Sequence, residues 1–183
     1  MNKIITLTTA AGEKPGITLI LTKDSARQQV TELIANQVLR GPLFSISASE
    51  WFPSFILSRN IRRQGVNTGE ITGRLRLARA STCHRLLDIL SDLPSGSETI
   101  LVIDFMDNFY DPDVPLSTRF FEFRQCCRRL KQSSFVHPII VVMQEVFTED
   151  YERFSPILHG IVDRTLYLEP EAGPRPVTQA SLF

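Results

Sequence analysis

Short apolar runs alternate along the chain with longer stretches whose apolar residues recur at three- and four-residue intervals. KIITLT (3–8) and GITLIL (16–21) predict two strands, and SARQQVTELIANQVLRG (25–41) predicts a helix. Ser25 stands where an N-cap hydroxyl belongs, and Gly41 where the helix ends. LFSIS (43–47) reads as a third strand. The aromatic and basic stretch EWFPSFILSRNIRRQ (50–64) follows, and then QGVNTGEITG (64–73). This last stretch has no period, contains glycines and reads as a mobile loop without core residues. RASTCHRLLDILSDL (79–93) returns to helical spacing and stops before Pro94. TILVID (99–104) and PIIVVM (138–143) are unbroken apolar runs of the kind buried on both faces, with the helical pattern LSTRFFEFRQCCRRLKQ (116–132) between them. EDYERFSPILHG (149–160) reads as a short helix interrupted by Pro156, and RTLYLE (164–169) as a last strand.

Strands alternating with helices, with strands of the doubly buried type, predict an α/β fold: a mostly parallel sheet with helices on both faces. The 183 residues suit one domain, residues 1–169, followed by a flexible tail from Pro170 that holds Pro174, Pro176 and Gly173. Twenty basic residues balance twenty acidic ones, so bulk charge implies neither nucleic acid nor membrane and any basic surface must be local. Three cysteines, Cys83, Cys126 and Cys127, fit neither a disulfide framework nor a zinc-ligand spacing, and a reducing cytoplasm is expected. No membrane span and no signal-peptide core is read.

In α/β proteins a phosphate sits where the first core strand turns into its helix, on free N–H groups at the helix N-terminus. Here the turn reads TKDSARQQ. Against the P-loop pattern, Thr22 and Arg27 occupy the glycine positions, Gln28 the lysine position and Gln29 the Ser/Thr position. The backbone access, the phosphate-neutralising amine and the magnesium-holding hydroxyl are therefore all missing, and ATP hydrolysis is not expected. From about Pro15 to Glu169 the chain nevertheless resembles the RecA/RadA/KaiC-like ATPase family. TILVIDFMDNF resembles its Walker B strand with Asp104 at the magnesium-linked position. LFSISASE is similar to the strand that leads to the catalytic glutamate, here Glu50, and PIIVVMQEV to the strand ending in a polar sensor, here Gln144. The resemblance implies a RecA-like domain whose nucleotide site has degenerated, a pseudo-ATPase. It is of the kind found among accessory proteins of recombination, repair and translesion synthesis, such as the ImuA type.

The tail ends in QASLF, which resembles the bacterial sliding-clamp-binding motif, with Gln179 as polar anchor and Leu182 and Phe183 as apolar plugs. Burying Leu182 and Phe183 is worth roughly 3–6 kcal/mol gross, and ordering the peptide leaves about micromolar binding. The alternative is a tail that docks on its own domain. A second phosphate-oriented feature is the set Arg59, Arg62, Arg63, Arg74, Arg76 and Arg79 around the glycine-containing loop, candidates for DNA contact against the ordinary reading of a solvated face. Arg124, Arg128, Arg129 and Lys131, near Phe120, Phe121 and Phe123, read as the wet side of an amphipathic helix. Trp51, Phe52 and Phe55 read as core, with a partner patch as the alternative. His84, His137 and His159 share no metal motif, and no nucleophile elbow is present.

The expectation is a non-catalytic cytoplasmic accessory protein of bacterial DNA replication or repair, without cofactor. Its partners are the sliding clamp, a DNA polymerase or recombination protein, and DNA. One competing expectation is a divergent ATP-binding enzyme that uses Lys23, with Asp104 and Glu50 handling magnesium and water. The other is a regulatory or structural domain with a self-docking tail.

Overall fold

A computed structural model describes residues 14–23, 27–63, 69, 71, 73–96, 98–146 and 148–168. The strands are β1 (Gly16–Thr22), β2 (Leu43–Ser47), β3 (Leu75–Arg79), β4 (Thr99–Ile103), β5 (Pro138–Gln144) and β6 (Arg164–Leu168). The helices are α1 (Arg27–Arg40), α2 (Ser54–Arg63), α3 (Cys83–Ser91), α4 (Leu116–Ser133) and α5 (Glu149–His159), and a 3-10 turn spans Asp107–Phe109. The strands form one sheet in the order β3-β2-β4-β5-β1-β6, and every neighbouring pair is parallel. The α/β architecture with helices on both faces is as the sequence pattern predicts.

Connection handedness explains which helix lies where. From β1 the chain steps across the sheet to β2 and β3, then reverses through β4, β5 and β6. Parallel crossovers are right-handed, so a reversal of direction moves the helices to the opposite face. Accordingly α1 and α2 pack over Ile20, Leu43, Leu101, Ile103, Ile140 and Val142. Helices α3, α4 and α5 cover the alternate residues Leu19, Ile46, Ile100, Val102, Val141 and Met143. Strands β4 and β5 are central and buried on both faces, which is why they read as unbroken apolar runs.

Local chemistry sets the element boundaries. Thr82 caps α3 by accepting from the Arg85 N–H at 3.1 Å, and Thr148 caps α5 by accepting from the Tyr151 N–H at 3.2 Å. Gly16 opens β1 at φ +136°, where a side chain is strained and where a Cβ would meet Asp163 Oδ2 at 3.1 Å. That carboxylate accepts from the Ile17 N–H at 2.8 Å and from Lys131 Nζ at 3.1 Å, tying the start of β1 to α4 and β6. The bond from Ile17 and then the Lys131 contact hold its pKa below the usual carboxylate value.

Three expectations change. Helix α5 runs through Pro156 without interruption. The proline removes one N–H, but its turn is held from outside by buried Phe154 and Leu158. LRLAR, not anticipated as a strand, is the edge strand β3, and its alternating Leu and Arg are the period-2 signal of a half-exposed strand. Ile71, inside the stretch read as carrying no core, is buried against the α1–α2 layer. KIITLT, Ser25, Glu169 and the tail from Pro170 lie outside the described residues.

The centre of the α3–α5 layer is an aromatic cluster. Phe123 meets Phe154 at a centroid distance of 4.9 Å, Phe109 edge-on at 5.0 Å and Phe105 at 5.6 Å, and all four rings are buried. Phe123→Ala is expected to lower unfolding stability by about 3–5 kcal/mol, whereas Phe121→Ala, two residues away and 61% exposed, shifts it by under ~0.5 kcal/mol. Urea denaturation of both variants checks the contrast.

Candidate functional site

In an open parallel sheet, ligands bind beyond the C-terminal strand ends, where neighbouring strands send their connections in opposite directions. That point lies here between β2, which leads outward to β3, and β4, which leads back toward β5. The strand order brings the ends of β2, β4, β5 and β1 side by side, so Glu50, Asp104, Gln144 and Thr22 do gather on one rim.

Their side chains are arranged as follows. Asp104 follows β4 at φ +56°, a left-handed conformation that Asp tolerates better than most residues. Its Oδ2 accepts a 2.5 Å hydrogen bond from Ser49 Oγ across the switch point. Ser47 Oγ donates to the carbonyls of Ser49 and Trp51, both at 2.8 Å, which folds the chain after β2 back over the rim. Arg27, the first residue of α1, lies over the Trp51 ring at 5.2 Å. Thr22 is buried, and its hydroxyl donates to the Met143 carbonyl at 3.3 Å. Gln28 is exposed and reaches Glu32 of its own helix at 3.4 Å, Gln29 is buried, and Glu50 and Gln144 are exposed. Lys23 lines a 70 Å³ cleft over the end of β1, with Thr22, Glu145, Tyr167 and Leu168.

Three participants were not singled out by sequence reasoning: Ser49, Asp107 and the stacking role of Trp51. Asp107 sits one turn after Asp104, partly desolvated by the surrounding protein and partly open to water. Burial, and then the Asp104 charge, push it up to about 6, against a downward pull from Arg27. The DFMD spacing in the sequence was the available signal. The segment is fixed from below, because Asn108 Nδ2 donates to the Ala80 carbonyl at 3.0 Å. Arg119 donates to the Phe109 carbonyl at 2.7 Å, the Val114 carbonyl at 3.0 Å and Asp150 at 2.7 Å.

The six arginines are divided between α2 and the β3 edge. Arg59, Arg62 and Arg63 are exposed on α2, and Arg74 reaches the Leu39 carbonyl at 3.4 Å. Arg76 pairs with Glu98 at 3.4 Å over the Phe44 ring, while Arg79 ends β3. Gln179, Leu182 and Phe183 lie outside the described residues. On α4, Phe123 faces the core while Arg124, Arg128 and Arg129 face solvent. Cys126 and Cys127 are both buried; burial pushes Cys127 up to about 12 and Cys126 higher, which opposes thiolate chemistry. His84 pairs with Glu122 on the α3–α4 seam, and that bond raises its pKa. Among the described residues no three His, Cys, Asp or Glu side chains converge to hold a metal, and no helix is long and apolar enough to cross a membrane.

Compared with known proteins, the chain matches no protein-family model and resembles no curated protein closely enough to count as a relative.

The Asp107 shift has a definite sign. Its folded pKa, about 6, lies above its ordinary value of 3.8, so the group favours folding fully below about pH 4, and that contribution is lost as pH rises through 6. Asp107→Asn is therefore expected to flatten stability between pH 4 and 6 and to raise the melting temperature at pH 7.5 by about 2 °C, a small effect because the open flank is solvent-screened. Thermal melts of both proteins across that range test it.

Proposed function

We propose that the protein is a non-catalytic, cytoplasmic, RecA-like accessory factor of bacterial DNA replication or repair, attached to the sliding clamp through Gln179, Leu182 and Phe183. The observation that carries this reading is the terminal QASLF, where two large apolar residues follow a segment rich in proline and glycine. A short peptide with two apolar anchors is suited to a shallow pocket on a hub protein.

The rim supports the pseudo-ATPase half of the reading. Asp104, at the position the resemblance links to magnesium, already accepts a short bond from Ser49. Arg27 is engaged with Trp51, and Gln28 lies along its own helix instead of presenting an amine to a phosphate. Lys23, the candidate substitute for the missing P-loop lysine, lines the 70 Å³ cleft with Glu145, Tyr167 and Leu168, and Asp104 is not part of that lining. This arrangement favours the non-catalytic reading over an ATP-binding enzyme.

A fluorescein-labelled RPVTQASLF peptide titrated with purified bacterial sliding clamp should show polarisation changes with a dissociation constant of about 1–10 μM. Leu182→Ala with Phe183→Ala should weaken it at least about tenfold. The full chain should bind likewise, and a chain ending at Thr178 should not. Equal binding of the truncated chain would refute the tether, and release of phosphate from magnesium ATP by the full chain would refute the non-catalytic assignment.

A further inference from the structure

A groove of about 180 Å³ runs between α2 and β3, lined by Phe52, Leu57, Ile61, Ile71 and Leu75, with Ser54 and Ser58 at its lip. Next to it, Phe55 is 79% exposed and Leu77 48% exposed. Strand β3 is the end of the sheet and pairs only with β2 among the described residues, so its outer backbone groups face away from the sheet. Arginines on an edge strand can serve simply to discourage unwanted pairing. That role accounts for Arg76 and Arg79, but it leaves the apolar groove and the solvent-facing Phe55 without a purpose.

Among the described residues basic groups outnumber acidic ones around this edge, where Glu98 pairs with Arg76. Neither α2 nor β3 contains an acidic residue, while α2 carries Arg59, Arg62 and Arg63 and β3 carries Arg76 and Arg79. Alternation along β3 divides its two faces. Leu75 lines the groove, with Leu77 and Arg79 on the same side, whereas Arg76 lies over Phe44 on the opposite side, paired across 3.4 Å of exposed surface with Glu98. A strand added to β3 would thus meet an apolar trough on one face and a guanidinium on the other.

We propose that the β3 edge and the α2–β3 groove form a docking site for an extended segment of a partner protein in which acidic and apolar residues alternate. The segment adds to the sheet as a further strand, its apolar side chains entering the groove on the α2 face and its carboxylates meeting Arg76 on the opposite face. Backbone pairing supplies affinity, and the two faces supply selectivity. Nucleic acid is the weaker fit, because the groove's lining is mainly aliphatic, with Leu57, Ile61, Ile71 and Leu75 outweighing the ring of Phe52 as a surface for base stacking. This site is independent of the tail and stands or falls apart from clamp binding.

The full chain should be titrated, at low salt, into a fluorescein-labelled nonapeptide of alternating aspartate and valine. The lysine–valine counterpart and a single-stranded oligonucleotide serve as comparison probes. The acidic peptide is expected to bind at least about tenfold more tightly than its lysine counterpart, and Arg76→Glu and Leu77→Asp should each weaken it about tenfold or more. In NMR spectra the peptide should shift signals of Leu75–Arg79 together with those of Leu57 and Ile61. Both substitutions are at exposed positions, and an unchanged melting temperature separates lost docking from lost folding. No binding of the acidic peptide, equal binding of the lysine peptide, or insensitivity to both substitutions would overturn the proposal. So would an oligonucleotide that alone depends on Arg76.

Discussion

A parallel sheet can leave neither face to water, because its connections must cross from one end of each strand to the start of the next and carry helices over the sheet as they do so. Nearly everything in this molecule follows from that constraint and from the reversal of strand order at β2 and β4. Two successive moves in one direction place α1 and α2 on one face, and three in the other direction place α3, α4 and α5 opposite. The reversal also opens the rim on which Ser49 meets Asp104. The same topology leaves β3 at the end of the sheet with α2 above it, which creates the apolar groove. Rim and groove are therefore consequences of one path through the sheet.

The chain between β4 and α4 could not hold its shape without a second, polar constraint. Buried Arg119 gathers the carbonyls of Phe109 and Val114 and the carboxylate of Asp150 around one guanidinium, joining the 3-10 turn, the following loop and α5. Beneath it, Phe105, Phe109, Phe123 and Phe154 pack in tilted and edge-on contacts. A rigid floor of this kind keeps Asp104 and Asp107 close enough for one carboxylate to raise the pKa of the other. It also explains why a neutral protein has distinct electrical regions. Acidic groups gather after β4, and arginines gather at the β3 edge, on the opposite side of the switch point.

Much of the architecture was legible because the signals were local and strong. The unbroken apolar runs TILVID and PIIVVM announced strands buried on both faces, and the helical spacing from Leu116 onward announced α4. Strand β3 was harder to see, because five residues that include two arginines look like part of a basic surface until a neighbouring strand is known. Pro156 misled for the opposite reason: intrinsic propensity says break, while the packing of Phe154 and Leu158 holds the turn. The candidate site was legible in part. Asp104, Glu50, Gln144 and Thr22 were named as strand-end residues, and strand ends are what the fold collects. Ser49 and the Arg27–Trp51 stack were not legible, since each acquires meaning only from a partner distant in sequence, whereas Asp107 had a local signal in its spacing from Asp104 and only its partial burial was hidden.

By itself, then, the sequence determined the fold class, the type of each central strand, the absence of the P-loop residues at Thr22, Arg27, Gln28 and Gln29, and the apolar pair that closes the chain at Leu182 and Phe183. These are matters of composition and short-range period, which hydrophobic burial and backbone stereochemistry translate directly into local structure. Only the tertiary structure decided the strand order, and with it which termini share a rim, which carboxylates repel one another and which arginines stand beside an apolar groove. Those properties depend on distances between segments up to 146 residues apart, as in the Ile17–Asp163 bond. Such distances are set by the handed path of the whole chain, which no local pattern encodes.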